Sequence, residues 1–143
     1  MIIDMAKKLR IVLDTNVIVS AIIFNGKPRE IYGFALNETY RTITSSTLIA
    51  ELTGILIKRF SLSLAEINLI EQQIREIFEV VHPKESINKV RDIDDNRVLE
   101  AAVAGKCQYI ITGDKDLLDL KSYNQITILK PADFLKLQLL ETK

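Results

Sequence analysis

Three consecutive aliphatic residues, Ile11, Val12 and Leu13, run into the carboxylate of Asp14, and this stretch constrains the fold more than any other. Two of the three are β-branched, and a run that is apolar at every position reads as a strand buried on both faces, the central strand of a parallel sheet. Asp14 then stands at that strand's C-terminal end, where open α/β sheets form their ligand crevices. Thr15 or Asn16 suits a helix N-cap, and Val17, Ile18, Ala21 and Ile22 follow at helical spacing. An acid in this place can equally do no more than cap the helix, and both readings stay open at this point.

The rest of the chain repeats the alternation. Asn25-Gly26-Lys27 is a turn, and Pro28 suits the start of a second helix running to about Glu38. Arg41 to Thr44 reads as a second strand. Ser45 or Ser46 can cap a third helix, whose residues Leu48, Ile49, Leu52, Ile55 and Leu56 form one stripe with Glu51 on its border. Ser63-Leu64-Ala65-Glu66 is a capping box for a fourth helix, and the few residues between the two predict a helical hairpin over about 46–80. Val80-Val81 reads as a short strand, and a helix through Val98, Leu99, Ala102 and Val103 stops at Gly105. Tyr109 to Thr112 and Ile126 to Leu129 complete about five strands, and Pro131 opens a last helix. Alternating strands and helices predict an α/β fold with a mainly parallel central sheet.

At 143 residues the chain is expected to form one domain, 1–143, with no linker dividing it. Met1-Ile2-Ile3-Asp4 is too short and too quickly charged for a signal peptide, and no apolar run reaches the roughly 20 residues of a membrane span, so the expected compartment is the cytoplasm. Nineteen basic against nineteen acidic residues leave no basic excess of the kind that binds nucleic acid generally. Nucleic-acid chemistry would have to rest on a local patch or a bound cation. Cys107, the one cysteine, excludes an internal disulfide and reads as a small buried hydrophobe; His82, the one histidine, reads as a surface or packing residue.

The acids carry the chemistry. Asp14 and Asp114 both end apolar strands, on one edge of the sheet if those strands are parallel. In Asp92-Ile93-Asp94-Asp95-Asn96, Asp95 precedes Val98, Leu99 and Ala102 by three, four and seven residues and so lies in line with the buried stripe. Asp94 is turned about 100° away from it. Two carboxylates about 4 Å apart repel by roughly 4 kcal/mol at an effective dielectric near 20, so a group of them demands protonation or a cation. Oxygen ligands alone favour Mg²⁺ or Mn²⁺, which suits phosphodiester hydrolysis. One histidine excludes a metal-free ribonuclease built on two, and one cysteine with one histidine excludes an ordinary zinc site. No Gly-x-Ser-x-Gly elbow, Gly-x-Gly-x-x-Gly turn or P-loop is present.

Val12-Leu13-Asp14-Thr15-Asn16, Glu51, Asp92-Ile93-Asp94-Asp95-Asn96 with Leu99-Glu100-Ala101-Ala102, and Ile111-Thr112-Gly113-Asp114-Lys115-Asp116-Leu117-Leu118 together resemble the four acidic motifs of the PIN-domain nucleases. The likeness is greatest to the prokaryotic, VapC-like branch that includes toxins of toxin-antitoxin pairs. It implies a three-layer α/β/α sandwich, a protruding helical hairpin, and a Mg²⁺- or Mn²⁺-dependent endoribonuclease acting on single-stranded or loop RNA. It implies Asp14, Glu51, Asp95 and Asp114 as the acidic quartet and Asn16 and Thr112 as polar neighbours that steady it. Asp14, Asp95 and Asp114 would hold the cation, and Glu51 would bind it or orient the attacking water; Asp116 is a candidate second-metal or outer ligand. Homodimers and a small antitoxin covering the groove are further implications. Two other readings remain: a non-catalytic module of the same fold binding RNA or protein, and a phospho-acceptor or aspartate-nucleophile domain. Against the second, the position two residues after Asp14 is Asn16 and not a second acid.

Overall fold

Buried apolar runs become the strands and amphipathic stretches the helices, in the order β1 (Arg10–Leu13), α1 (Thr15–Ile23), α2 (Lys27–Leu36), β2 (Arg41–Ser45), α3 (Ser46–Phe60), α4 (Leu64–Ile77), β3 (Glu79–Val81), α5 (Ile93–Ala104), β4 (Tyr109–Ile111), α6 (Lys115–Leu120), β5 (Ser122–Tyr123), β6 (Ile126–Leu129) and α7 (Pro131–Glu141). The computed structural model describes residues 8–141. Met1 to Asp4, expected to carry no signal peptide, lies outside them.

The sheet has six strands in the order β3-β2-β1-β4-β6-β5, against about five expected. The extra one, β5, is two residues long and runs antiparallel to β6. Its turn uses Asn124 and Gln125, both with positive φ (48° and 66°), which gives the twist a two-residue hairpin needs without the Asn-Gly pair that would have announced it. All other pairings are parallel, with β1 between β2 and β4. The chain builds outward from β1 through β2 and β3, then crosses back to add β4 and β6 on the other side. The order therefore reverses at β1 and β4, which opens a crevice beyond their carboxyl ends.

The alternation of β1 separates two cores. Ile11 and Leu13 pack with residues of α1, α2, α3, α4 and α7, whereas Val12 packs with α5 and Leu117 of α6. Helices on both faces make the three-layer sandwich. Ser45 caps α3 by accepting from the Leu48 amide at 3.2 Å, and Ser63 and Glu66 form the expected capping box of α4. Ser61, in the left-handed conformation (φ 53°), ends α3, and three residues link the two helices. Gly105 ends α5 where expected, and its need for glycine is steric: a Cβ there would meet Ile43 Cγ2 of β2 at 2.6 Å. This close approach sets α5, and the acids at its start, against the sheet.

Candidate metal centre

β1 aims Asp14 into the crevice. Its backbone amide donates to Ile111 O at 2.9 Å, so the parallel ladder with β4 continues one residue past the strand. Asp14 occupies the N-cap position of α1, the role left open for it beside Thr15 and Asn16, and the amides of those two residues lie against its carboxylate without a regular capping bond. Its carboxylate instead accepts from the hydroxyl of Thr112, 98 positions away, at 2.6 Å. The same hydroxyl accepts from the Asp114 amide at 2.9 Å, so Thr112, fully buried, ties the two strand-end acids together. Asn16 is exposed and lines an open cleft of about 440 Å³ beside Asp114, with Ser20, Pro28, Gly113, Lys115 and Pro131.

The first turn of α5 supplies the next acid. Asp92 is the cap, accepting from the Asp94 amide at 2.8 Å, and this fixes the helical phase that turns Asp95 inward. Asp95 is 6% exposed, whereas Asp94 faces solvent. Asp114 caps α6, its Oδ1 accepting from the amides of Asp116 and Leu117 at 2.9 and 3.2 Å. Asp95, Asp114 and Asp116 each offer an oxygen within 4.8 Å of the other two. Asp116, by sequence a candidate second-metal or outer ligand, is thus an equal member of this group. Arg91 approaches Asp116 from outside, Nη2 lying 3.3 Å from Oδ1.

Glu51, half-buried on α3, stands apart from that trio. Its carboxyl faces the Thr15 hydroxyl and Asp94, with the Asp14 charge also in reach. Burial first, then Asp94, pushes its pKa up to about 7. Asp95 is pushed up to about 8, by burial and then by the Asp114 carboxylate. Asp14 is also raised, by burial, with the Asp114 charge adding to it and the Thr112 hydroxyl opposing it. Each shift has the sign expected of acids gathered with too little positive charge.

The donor set fits a hard divalent cation. All the convergent ligands are carboxylate oxygens, and Asp95 Oδ2 is buried with no N–H or O–H donor from the protein, its carboxyl facing only the further carboxylate of Asp114. An orphaned buried carboxylate oxygen is costly unless something positive meets it. Sequence reasoning missed three buried polar residues nearby. Thr15, named only as a cap, buries its hydroxyl facing the Glu51 carboxyl; Asn96 and Glu100 hold the loop before α5 through its backbone amides. The signal for the last two was a polar residue at 96 and again four on at 100, beside an otherwise apolar helical stripe.

Comparison with known proteins shows the family and the fold. The chain is 33% identical over 126 residues to an uncharacterized protein of Methanocaldococcus jannaschii, covering 82% of this chain and 79% of the relative. Its fold is similar to that in the crystal structure of FitAcB from Neisseria gonorrhoeae, with a TM-score of 0.54 at 15% identity, over 85% of this chain and 98% of that one. The profile of the PIN domain matches residues 10–116, a span that begins with β1 and ends on Asp116. The chain belongs to the PIN-domain family, whose members are generally nucleases.

Proposed function

We propose that this protein is a Mg²⁺- or Mn²⁺-dependent endoribonuclease that hydrolyses single-stranded or loop RNA in the cytoplasm, and that it is the toxin of a toxin-antitoxin pair. The observation that carries the nuclease reading is the unpaired, buried Asp95 Oδ2 within a trio of convergent carboxylates at the switch point of a parallel sheet. Asp95, Asp114 and Asp116 would hold the cation, with Asp14 steadied behind them through Thr112. When bound, such a cation lowers the pKa of water and neutralises charge that builds on the phosphodiester oxygens. Glu51, with its pKa near neutrality, is suited to accept a proton from the attacking water at its carboxylate. The cleft beside Asp114 gives the strand a path out of the site.

The toxin reading rests on the resemblance to the VapC-like branch. With it come a homodimer, a small antitoxin protein over the acidic groove, and one PIN domain over 1–143 with the 46–80 hairpin protruding beside the site. Among the described residues no helix is long and apolar enough to cross a membrane.

The test is incubation of the partner-free protein with a mixed single-stranded RNA pool in Mg²⁺, in Mn²⁺ and in chelator, beside Asp14→Asn. Cleavage that requires the metal and vanishes in the variant is the expected result. Undiminished cleavage by Asp14→Asn would overturn the site assignment. Metal binding with no cleavage of any RNA would favour a non-catalytic module.

A further inference from the structure

The loop between β3 and α5 has no regular structure, yet α5 grips it with buried polar side chains. Asn96, 2% exposed, accepts from the amides of Lys89 and Val90 at 2.9 Å each and donates from Nδ2 to Val90 O at 2.8 Å. Glu100 accepts from the Ile87 amide at 2.8 Å, and Arg97, paired with Glu100, donates to Ile87 O at 3.3 Å. Buried and fully committed to the loop backbone, these side chains fix its course. The residue next to the clamped Val90 is Arg91.

Arg91 lies against the acidic trio but is barely engaged by it. One nitrogen, Nη2, reaches the two Asp116 oxygens at 3.3 and 3.5 Å, and its side chain is 90% exposed. Most of the five-donor guanidinium fork is left free. So exposed a pair is weakly held and readily exchanged. Lys115, the basic residue beside Asp114, is as exposed (87%), but the acid it pairs with, Asp119 at 3.1 Å, lies outside the trio, whereas Arg91 pairs with a member of it. Filling the trio with a divalent cation would set a like charge beside Arg91 and turn it toward an anion, and a guanidinium matches phosphate geometry well.

We propose that Arg91 is the phosphate-binding residue of this site, parked on Asp116 until the acidic trio is filled and then engaging a backbone phosphate of the RNA. This role rests on the protein being a nuclease. Asn96 acts through Arg91 as a positioning residue, holding Val90 so that the guanidinium stays within reach of both partners.

Two titrations test it, on the protein, Arg91→Ala and Arg91→Lys. In the first, Mn²⁺ is titrated by calorimetry without RNA. Removing the guanidinium removes a competing cation, so Arg91→Ala should bind Mn²⁺ about threefold tighter. In the second, a labelled single-stranded RNA is followed by anisotropy with Mn²⁺ at several salt concentrations, in the Asp14→Asn background so that the RNA survives. Arg91→Ala should bind RNA about tenfold more weakly, as for loss of one charged hydrogen bond. The log–log salt slope should become shallower by about 0.7, the value for one phosphate contact to a single strand, whatever the RNA sequence. Arg91→Lys should restore most of that slope. A loop residue with only a structural role would weaken both ligands, lower the melting temperature and leave the slope alone, and that result overturns the proposal. Unchanged RNA affinity and slope in a protein that cleaves RNA would sink the role of Arg91 and leave the nuclease reading standing. A changed slope in a protein whose native form cleaves nothing would do the reverse.

Discussion

The two ends of one parallel sheet handle charge in opposite ways. At the amino ends, Arg10 donates through Nη1 and Nη2 to both oxygens of Glu79 at 3.1 and 2.7 Å, and Arg41 reaches Glu79 at 3.3 Å and Glu38 at 3.5 Å. Two cations meet two anions. At the carboxyl ends lie Asp14, Glu51, Asp94, Asp95, Asp114 and Asp116, and among the described residues the ion pair made by this group is one exposed contact between Asp116 and Arg91. The titration shifts follow: Glu79 is held below the usual carboxylate value by Arg10, whereas Asp14, Glu51 and Asp95 are all driven above it. An acid that folding has paired with cations is stabilised in its charged form; acids gathered with too little positive charge are driven toward the neutral form and mark a candidate functional site.

The contrast breaks most sharply at Asp95. Asp95→Asn keeps the shape but removes the charge, so cleavage should fall by more than the roughly 100-fold that loss of an outer partner costs. The metal-free variant should nonetheless melt higher than the native protein, because a buried, repelled carboxylate is gone. Activity and apo-stability moving in opposite directions is the signature; a variant that loses both would place Asp95 among the structural acids. Thr112→Val is the next largest. It removes the donor to Asp14 and the acceptor for the Asp114 amide together, so we expect a loss of about 10- to 100-fold in activity or metal affinity. A loss of about 1–3 kcal/mol in stability, read by urea unfolding, should accompany it. Full activity in Thr112→Val would mean that the two strand-end acids do not need each other.

Much of this site was legible because short-range periodicity governs it. Asp95 and Asp94 differ by one residue, hence by about 100° on a helix, and that phase alone separates a buried acid from an exposed one. The expected strands, the capping box at Ser63 and the burial of Cys107 came from equally local patterns. What local pattern could not supply was how distant residues meet. Thr112 and Asp116 are named only through the family resemblance; strand register puts the Thr112 hydroxyl between Asp14 and Asp114, and tertiary packing brings Asp95 to Asp114 and Asp116. Glu51 lies on a border of the α3 stripe, and only packing decides that it faces Thr15 and Asp94. Asn16 carries the motif position but is exposed, opening onto the cleft beside Asp114.

A smaller effect should appear in pH. Glu51 and Asp95 have folded-state values near 7 and 8, above their unfolded values, so between about pH 4 and 8 the native state holds protons that the unfolded chain has released. Their contribution to stability is therefore fully present below the unfolded values and is lost as pH rises through 7 and 8. The metal-free protein should melt progressively lower from pH 5 to pH 9, and saturating Mg²⁺ or Mn²⁺ should flatten that decline, because a cation takes over the compensation the protons provided. A metal-free melting temperature that rises over this range would contradict the crowding of these acids.

The smallest effect belongs to the other end of the sheet. Glu79→Gln leaves Arg10 and Arg41 without their shared carboxylate, but both partners are partly exposed, the Arg10 side chain by 26% and that of Glu79 by 35%. Water can replace much of what is lost, so the cost should be about 1 kcal/mol or less, a fall of about 3 °C in melting temperature. Arg10 keeps its Nε donation to Gly105 O at 2.7 Å, so the approach of α5 to β2 should survive. With α5 in place Asp95 does not move, and kcat for RNA cleavage should equal that of the native protein. A loss of activity larger than the loss of stability would mean that the paired end of the sheet positions the unpaired one, through α5, and the two ends would then have to be treated as one device.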